Sequence, residues 1–142
     1  MPEPRSMTLL GFDYGTRKIG VAVGQELTAT ATPLTVLHLV KNKPDWNGIA
    51  DLTEEWQPDA LVVGLPIGPE ENETPMTVAA RKFSRQLHGR FGLPVHLADE
   101  RLTSREAWSR IGGIAERDVT RIDSMAAKLI LETWFSAHEQ QQ

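Results

Sequence analysis

Two short apolar stretches open the chain, Leu9-Leu10-Gly11-Phe12 and Ile19-Gly20-Val21-Ala22-Val23, with Asp13-Tyr14-Gly15-Thr16-Arg17-Lys18 between them. Apolar runs joined by a tight glycine-containing turn predict a β-hairpin, with strands at about 8–14 and 18–24. A third strand is expected at about 34–39, opened by Pro33. The period then changes. Trp46, Ile49, Leu52 and Trp56 recur at helical spacing, from Pro44 in the first helical turn to Pro58, which stops the pattern. Asp59-Ala60-Leu61-Val62-Val63-Gly64-Leu65-Pro66 is a short, almost wholly apolar run, as in a strand covered on both faces. A second helix starts at Thr74-Pro75 and lines up Met76, Ala79, Ala80, Phe83, Leu87 and Phe91 on one face. Pro94 opens a fifth strand, Val95-His96-Leu97-Ala98, which runs straight into Asp99-Glu100.

Beyond it, Thr103-Ser104-Arg105-Glu106 has the form of a capping box and predicts a short helix ending at Gly112-Gly113. Ile114 to Arg121, charged and aperiodic, is expected to be a mobile loop. The final helix, about Ile122 to His138, is apolar on most sides and therefore a packed, central one. The order is βββαβαβαα, or βββαβαβα with the short helix set aside. It is the order of an RNase H-like α/β domain: a five-stranded mixed sheet with helices on both faces, its first and fourth strands neighbours. The whole chain, 1–142, is read as one such domain, with 1–7 and 139–142 as disordered tails.

Composition narrows the chemistry. A chain of 142 residues with 40% hydrophobic content suits one core of useful size. With no cysteine there is no disulfide, thiolate metal site or cysteine nucleophile, and the four histidines, at 38, 88, 96 and 138, have no metal-ligand spacing. His96, on a strand, reads as a packed histidine, and Trp46 and Trp56 as helix packing. No apolar run approaches the roughly 20 residues that span a bilayer, and Met1 to Met7 do not form a signal peptide. A soluble, cytoplasmic protein is expected. The net charge of -4 argues against a polyanionic partner until its distribution is considered. Residues 1–80 carry five basic and eleven acidic side chains, whereas 81–128 carry ten and six. The second stretch is a candidate basic face.

Three acids stand where strands or helices end in apolar surroundings: Asp13, Glu100 and Asp123. An ionised carboxylate in such a setting is costly unless something positive pairs with it. A divalent cation does so, and Arg17 or Lys18 across the hairpin turn is the alternative for Asp13. Each acid also has a purely structural reading. Asp13 suits a turn residue bonded to backbone amides, Glu100 an exposed ion pair with Arg101, and Asp123 an N-cap.

Four strings, Gly11-Phe-Asp-Tyr-Gly-Thr-Arg-Lys-Ile-Gly-Val-Ala-Val23, Val63-Gly-Leu-Pro66, Asp99-Glu-Arg-Leu-Thr103 and Ile122-Asp-Ser-Met-Ala-Ala127, closely resemble the YqgF family in order and spacing. The resemblance runs from Leu9 to Phe135. That family is similar in fold to the Holliday junction resolvase RuvC. Its members are described as resolvases or as nucleases that mature the 5′ end of pre-16S ribosomal RNA. The resemblance implies a metal-dependent nuclease whose acids fall on Asp13, Glu100 and Asp123, with Asp99 as the alternative to Glu100. It implies two Mg²⁺ or Mn²⁺ ions, and a nucleic-acid partner: precursor rRNA, within the small-subunit precursor, or branched DNA. Ala126 stands where RuvC-like enzymes place a further acid, leaving three carboxylates. Arg17, Lys18, Arg101 and Arg105, close in sequence to the acids, are candidate phosphate contacts. RNA processing is the first expectation and junction resolution the second. A non-catalytic RNA-binding assembly factor is a third. Asp13-Tyr-Gly-Thr16 also resembles the first phosphate loop of actin-like ATPases, but those close two such domains over the nucleotide. Monomer and dimer both remain open.

Overall fold

The computed structural model describes residues 6–68, 70, 72–100 and 119–139, and in the last helix the side chains from Ser124 to His138. Three strands come first: β1 (Thr8–Tyr14), β2 (Lys18–Gln25) and β3 (Thr30–His38). Then follow α1 (Trp46–Trp56), β4 (Ala60–Leu65), α2 (Pro75–Phe91), β5 (Val95–Asp99) and α3 (Val119–Glu139). The short helix expected at Thr103 lies outside the described residues. The strands form one mixed sheet in the order β3-β2-β1-β4-β5. β2 is antiparallel to both neighbours, and β1, β4 and β5 are parallel. The first and fourth strands are neighbours, as expected, and the C-terminal ends of β1, β3, β4 and β5 all lie at one end of the sheet.

Alternation along the strands sorts side chains between two cores. Leu10 and Phe12 of β1, Val21 of β2 and Leu61 and Val63 of β4 pack with Ile49 of α1 and Phe83 and Leu87 of α2. Leu9, Ala22, Ala60 and Val62 pack on the other face with Ala127, Ile130, Leu131, Trp134 and Phe135 of α3. β4, buried along its whole length, explains why its sequence does not alternate. Trp46 stacks on Phe83 at 5.8 Å, and the Arg90 guanidinium lies 4.1 Å over the Trp46 ring, closing α1 against α2.

Three boundaries differ from expectation. Pro33 does not open β3: the strand starts at Thr30, and the pairing steps from Val21↔Thr35 to Ala22↔Pro33, leaving Leu34 as the extra residue of a bulge. An edge strand tolerates a proline at such an irregularity because its missing N–H interrupts little of the ladder. Pro44 precedes α1 instead of lying in its first turn, because the Asp45 carboxylate accepts from the Gly48 amide at 3.0 Å and caps the helix. α3 starts at Val119, inside the segment read as a loop, so Asp123 lies within the helix and the N-cap reading of that residue falls.

Candidate active site

The hairpin that carries Asp13 is closed by a 2.9 Å bond from the Gly15 amide to the Lys18 carbonyl, with Asp13 opposite Gly20. Asp13 shares the parity of Leu9 and Gly11. Gly11 faces α3 so closely that a Cβ there would stand 2.5 Å from Leu131 Cγ. Asp13 is thus on the α3 face of β1, at its C-terminal end.

Next along the same end is β4. A Cβ at Gly64 would overlap Ile130 of α3 and come within 2.8 Å of Glu100 Oε1. The bare backbone of Gly64 is therefore the floor on which the Glu100 carboxyl rests, and this carboxyl is on the α3 face as well. Asp99 ends β5 opposite Leu65 and has the parity of Val95, which packs in the other core. Adjacent in sequence, the two acids thus begin from opposite faces.

Electrostatics report the crowding. The Glu100 carboxyl is pushed up to about 7, first by burial, then by the negative charge of Asp13, then by that of Asp99. Burial and like charge both penalise the ionised form. Asp13 and Asp99 each have interactions of their own.

The structure thus brings Asp13, at the end of β1, near Glu100, which follows β5 on the other side of β4, while Asp99 starts from the opposite face. Arg17 is exposed in the hairpin turn and Lys18 starts β2, both at the same end. The Asp123 backbone lies in the second turn of α3, four residues before Ala127 and seven before Ile130, which pack on the sheet. Its side chain, and all of Arg101 and Arg105, lie outside the described residues. Among the described residues no group of three or more His, Cys, Asp or Glu is arranged to hold a metal. His96 packs on Trp134 at 5.1 Å, and burial followed by the charge of His138 lowers its pKa. Gly64 is the residue that sequence reasoning passed over. A glycine in an otherwise apolar strand was the available signal, since it marks a close approach.

A mixed sheet in the order 3-2-1-4-5, with acids at the C-terminal ends of β1 and β5 on either side of β4, defines an RNase H-like domain. Thermus thermophilus RuvC in complex with Holliday junction substrate has the same fold, with a TM-score of 0.57 over 94% of this chain and 96% of that one, at 18% identity. The Fowlpox virus Holliday junction resolvase matches at 0.51 over 96% and 100%, with 14% identity. In sequence, a protein of Alcanivorax borkumensis is 54% identical over 128 residues, 90% of this chain and 95% of the relative. One from Pectobacterium carotovorum is 48% identical over 136 residues, 94% and 98% of the two chains. Both carry the name "Putative pre-16S rRNA nuclease". The family model RuvX, described as Holliday junction resolvase, matches residues 7–137, and this chain belongs to that family, the YqgF family of the resemblance above.

Proposed function

We propose that this protein is a divalent-metal-dependent nuclease that hydrolyses phosphodiester bonds at the 5′ end of pre-16S rRNA, with Asp13, Glu100 and Asp123 as its catalytic acids and cation ligands. The observation that carries this reading is the placement of Asp13 at the end of β1 and of Glu100 against the bare backbone of Gly64, both on the α3 face at one end of the sheet, where burial and the charge of Asp13 raise the Glu100 pKa. Asp13 and Glu100 offer carboxylate oxygens, the donor type that a hard divalent cation such as Mg²⁺ or Mn²⁺ takes, and Asp123 is assigned as the third ligand. Two such ions match the family expectation. The chemistry supplied there is activation of a water nucleophile and neutralisation of the charge that grows on the scissile phosphate. The chain's own residues prepare for it. Gly64 seats Glu100 beside Ile130, and Glu100 would hold the cation in its ionised form. Arg17 and Lys18 hold the phosphate backbone at the rim, and Arg101 and Arg105 are assigned phosphate contacts from their place in the sequence beside the acids.

The substrate is supported by relatives about half identical in sequence that bear the pre-16S rRNA nuclease name. Cleavage of four-way DNA is the second reading, favoured by the family's description. Purified protein is expected to cut RNA carrying the 16S 5′ leader in Mg²⁺ or Mn²⁺ and to lose that activity in excess chelator. Asp13→Asn, Glu100→Gln and Asp123→Asn should each abolish cutting while RNA binding persists. Cleavage that survives chelation would sink the metal reading. A four-way junction cut in preference to the RNA would move the assignment to the second reading, and RNA binding without any cleavage would leave a non-catalytic assembly factor.

A further inference from the structure

We propose that the turn Val40–Lys43, with Arg17, forms a second phosphate-binding position, which holds the nucleic-acid backbone two to three nucleotides away from the acidic site. The proposal rests on the nuclease reading above and adds to it the direction in which the strand leaves. At the C-terminal end of β3, Val40 and Lys43 exchange backbone hydrogen bonds of 2.8 and 2.9 Å. Lys41 and Asn42 between them are left-handed, at φ 51° and 63°. This is the geometry of a two-residue I′ turn, which holds Lys41 and Lys43 on a rigid tip. The Leu39 amide donates to the Arg17 carbonyl at 2.9 Å, and Lys18 pairs with His38, so this tip abuts the turn of the first hairpin.

Charge is sorted to match. Of the five basic residues in the first 80, four are Arg17, Lys18, Lys41 and Lys43, and all four lie at this end of β2 and β3. The only acid from Tyr14 to Pro44 is Glu26, whose amide bonds to the Met7 carbonyl at the opposite end of the sheet. Arg17, Lys41 and Lys43 are exposed, and among the described residues none has an ion-pair partner. The loop after β4, from Pro66 to Thr74, carries no base; its described acids are Glu70 and Glu73, and Glu73 is paired with Arg81. A backbone leaving the site therefore runs over β2 and β3. Strands are about 4.8 Å apart, so β3 lies about 10 Å from Asp13 and the turn somewhat farther.

The test is binding of a fluorescent single-stranded RNA of about 12 nucleotides, and of the same DNA, measured by anisotropy against salt in Ca²⁺. Lys41→Asn with Lys43→Gln preserves a residue suited to the left-handed turn and removes two charges. Every phosphate that is no longer neutralised lowers the salt slope by about 0.7, so the double variant should lose about 1.4 and bind roughly 10- to 30-fold more weakly near 0.1 M salt. Lys41→Arg with Lys43→Arg keeps both charges at the turn and should leave the slope unchanged. An unchanged slope in the first variant, or an equal fall in both, overturns the proposal while the nuclease reading stands. Wild type that binds neither oligomer overturns both. A fall with RNA alone, or with DNA alone, supports the position and identifies which backbone it takes.

Discussion

Glu100 makes stability and cation affinity run in opposite directions with pH. Its folded pKa of about 7 lies above its ordinary 4.5, so between those values the folded state holds a proton that the unfolded chain releases. Its stabilising contribution is full below about 4.5 and is lost as pH rises through about 7. Calorimetric melts in chelator should therefore show Glu100→Gln gaining on wild type over that interval and levelling off above it. A constant difference would mean that the carboxyl titrates normally. Mg²⁺ affinity should instead rise, by up to about tenfold per pH unit below 7, as the cation displaces that proton. Asp13→Asn removes the second cause of the shift and leaves burial, the larger one, so the Glu100 pKa should fall part of the way, as carboxyl NMR would show. The same change relieves repulsion, and its melting temperature without metal should equal or exceed that of wild type. A less stable variant would favour the turn role for Asp13. Asp13 and Glu100 were legible in the sequence as acids in apolar surroundings. That the Glu100 carboxyl lies against Gly64 was not, because it depends on β1 and β5 flanking the same glycine.

The packing of α3 on the sheet and the free surface of α2 give the same substitution opposite signs. Gly64→Ala pushes a methyl into Ile130 and the Glu100 carboxyl, and should cost about 1–3 kcal/mol together with activity. Gly89→Ala on α2 meets nothing within 4 Å, and should stabilise by about 0.5–1 kcal/mol, because alanine has less freedom to lose. Urea midpoints of the two variants should move in opposite directions. α2 itself is readable from its own residues. Thr74 caps it and Pro75 follows at its first position, while buried Thr77 completes the capping box and bonds to the Pro66 carbonyl. β3 is not, since Pro33 signals a boundary locally and only pairing with β2 reveals a bulge.

Over the whole molecule, the acids at the strand ends and the bases beside them form a dipole laid along one end of the sheet. Millimolar Mg²⁺ or Mn²⁺ should stabilise wild type by mass action, by about 2.7 kcal/mol at a hundred times Kd, and should stabilise Asp13→Asn much less. Equal stabilisation of both would place the cation elsewhere. No described helix is long and apolar enough to cross a membrane.

The sequence by itself determined the elements and their order, because hydrophobic period, proline and capping residues act within a few positions of the chain. It marked β4 as a buried strand and α3 as a packed helix for the same reason. Only the tertiary structure decided which face each acid takes, why Glu100 keeps its proton, what Gly64 supports, and that Lys41 and Lys43 stand beside Arg17. Those outcomes depend on distances through space between residues far apart in sequence, and strand order and register set such distances.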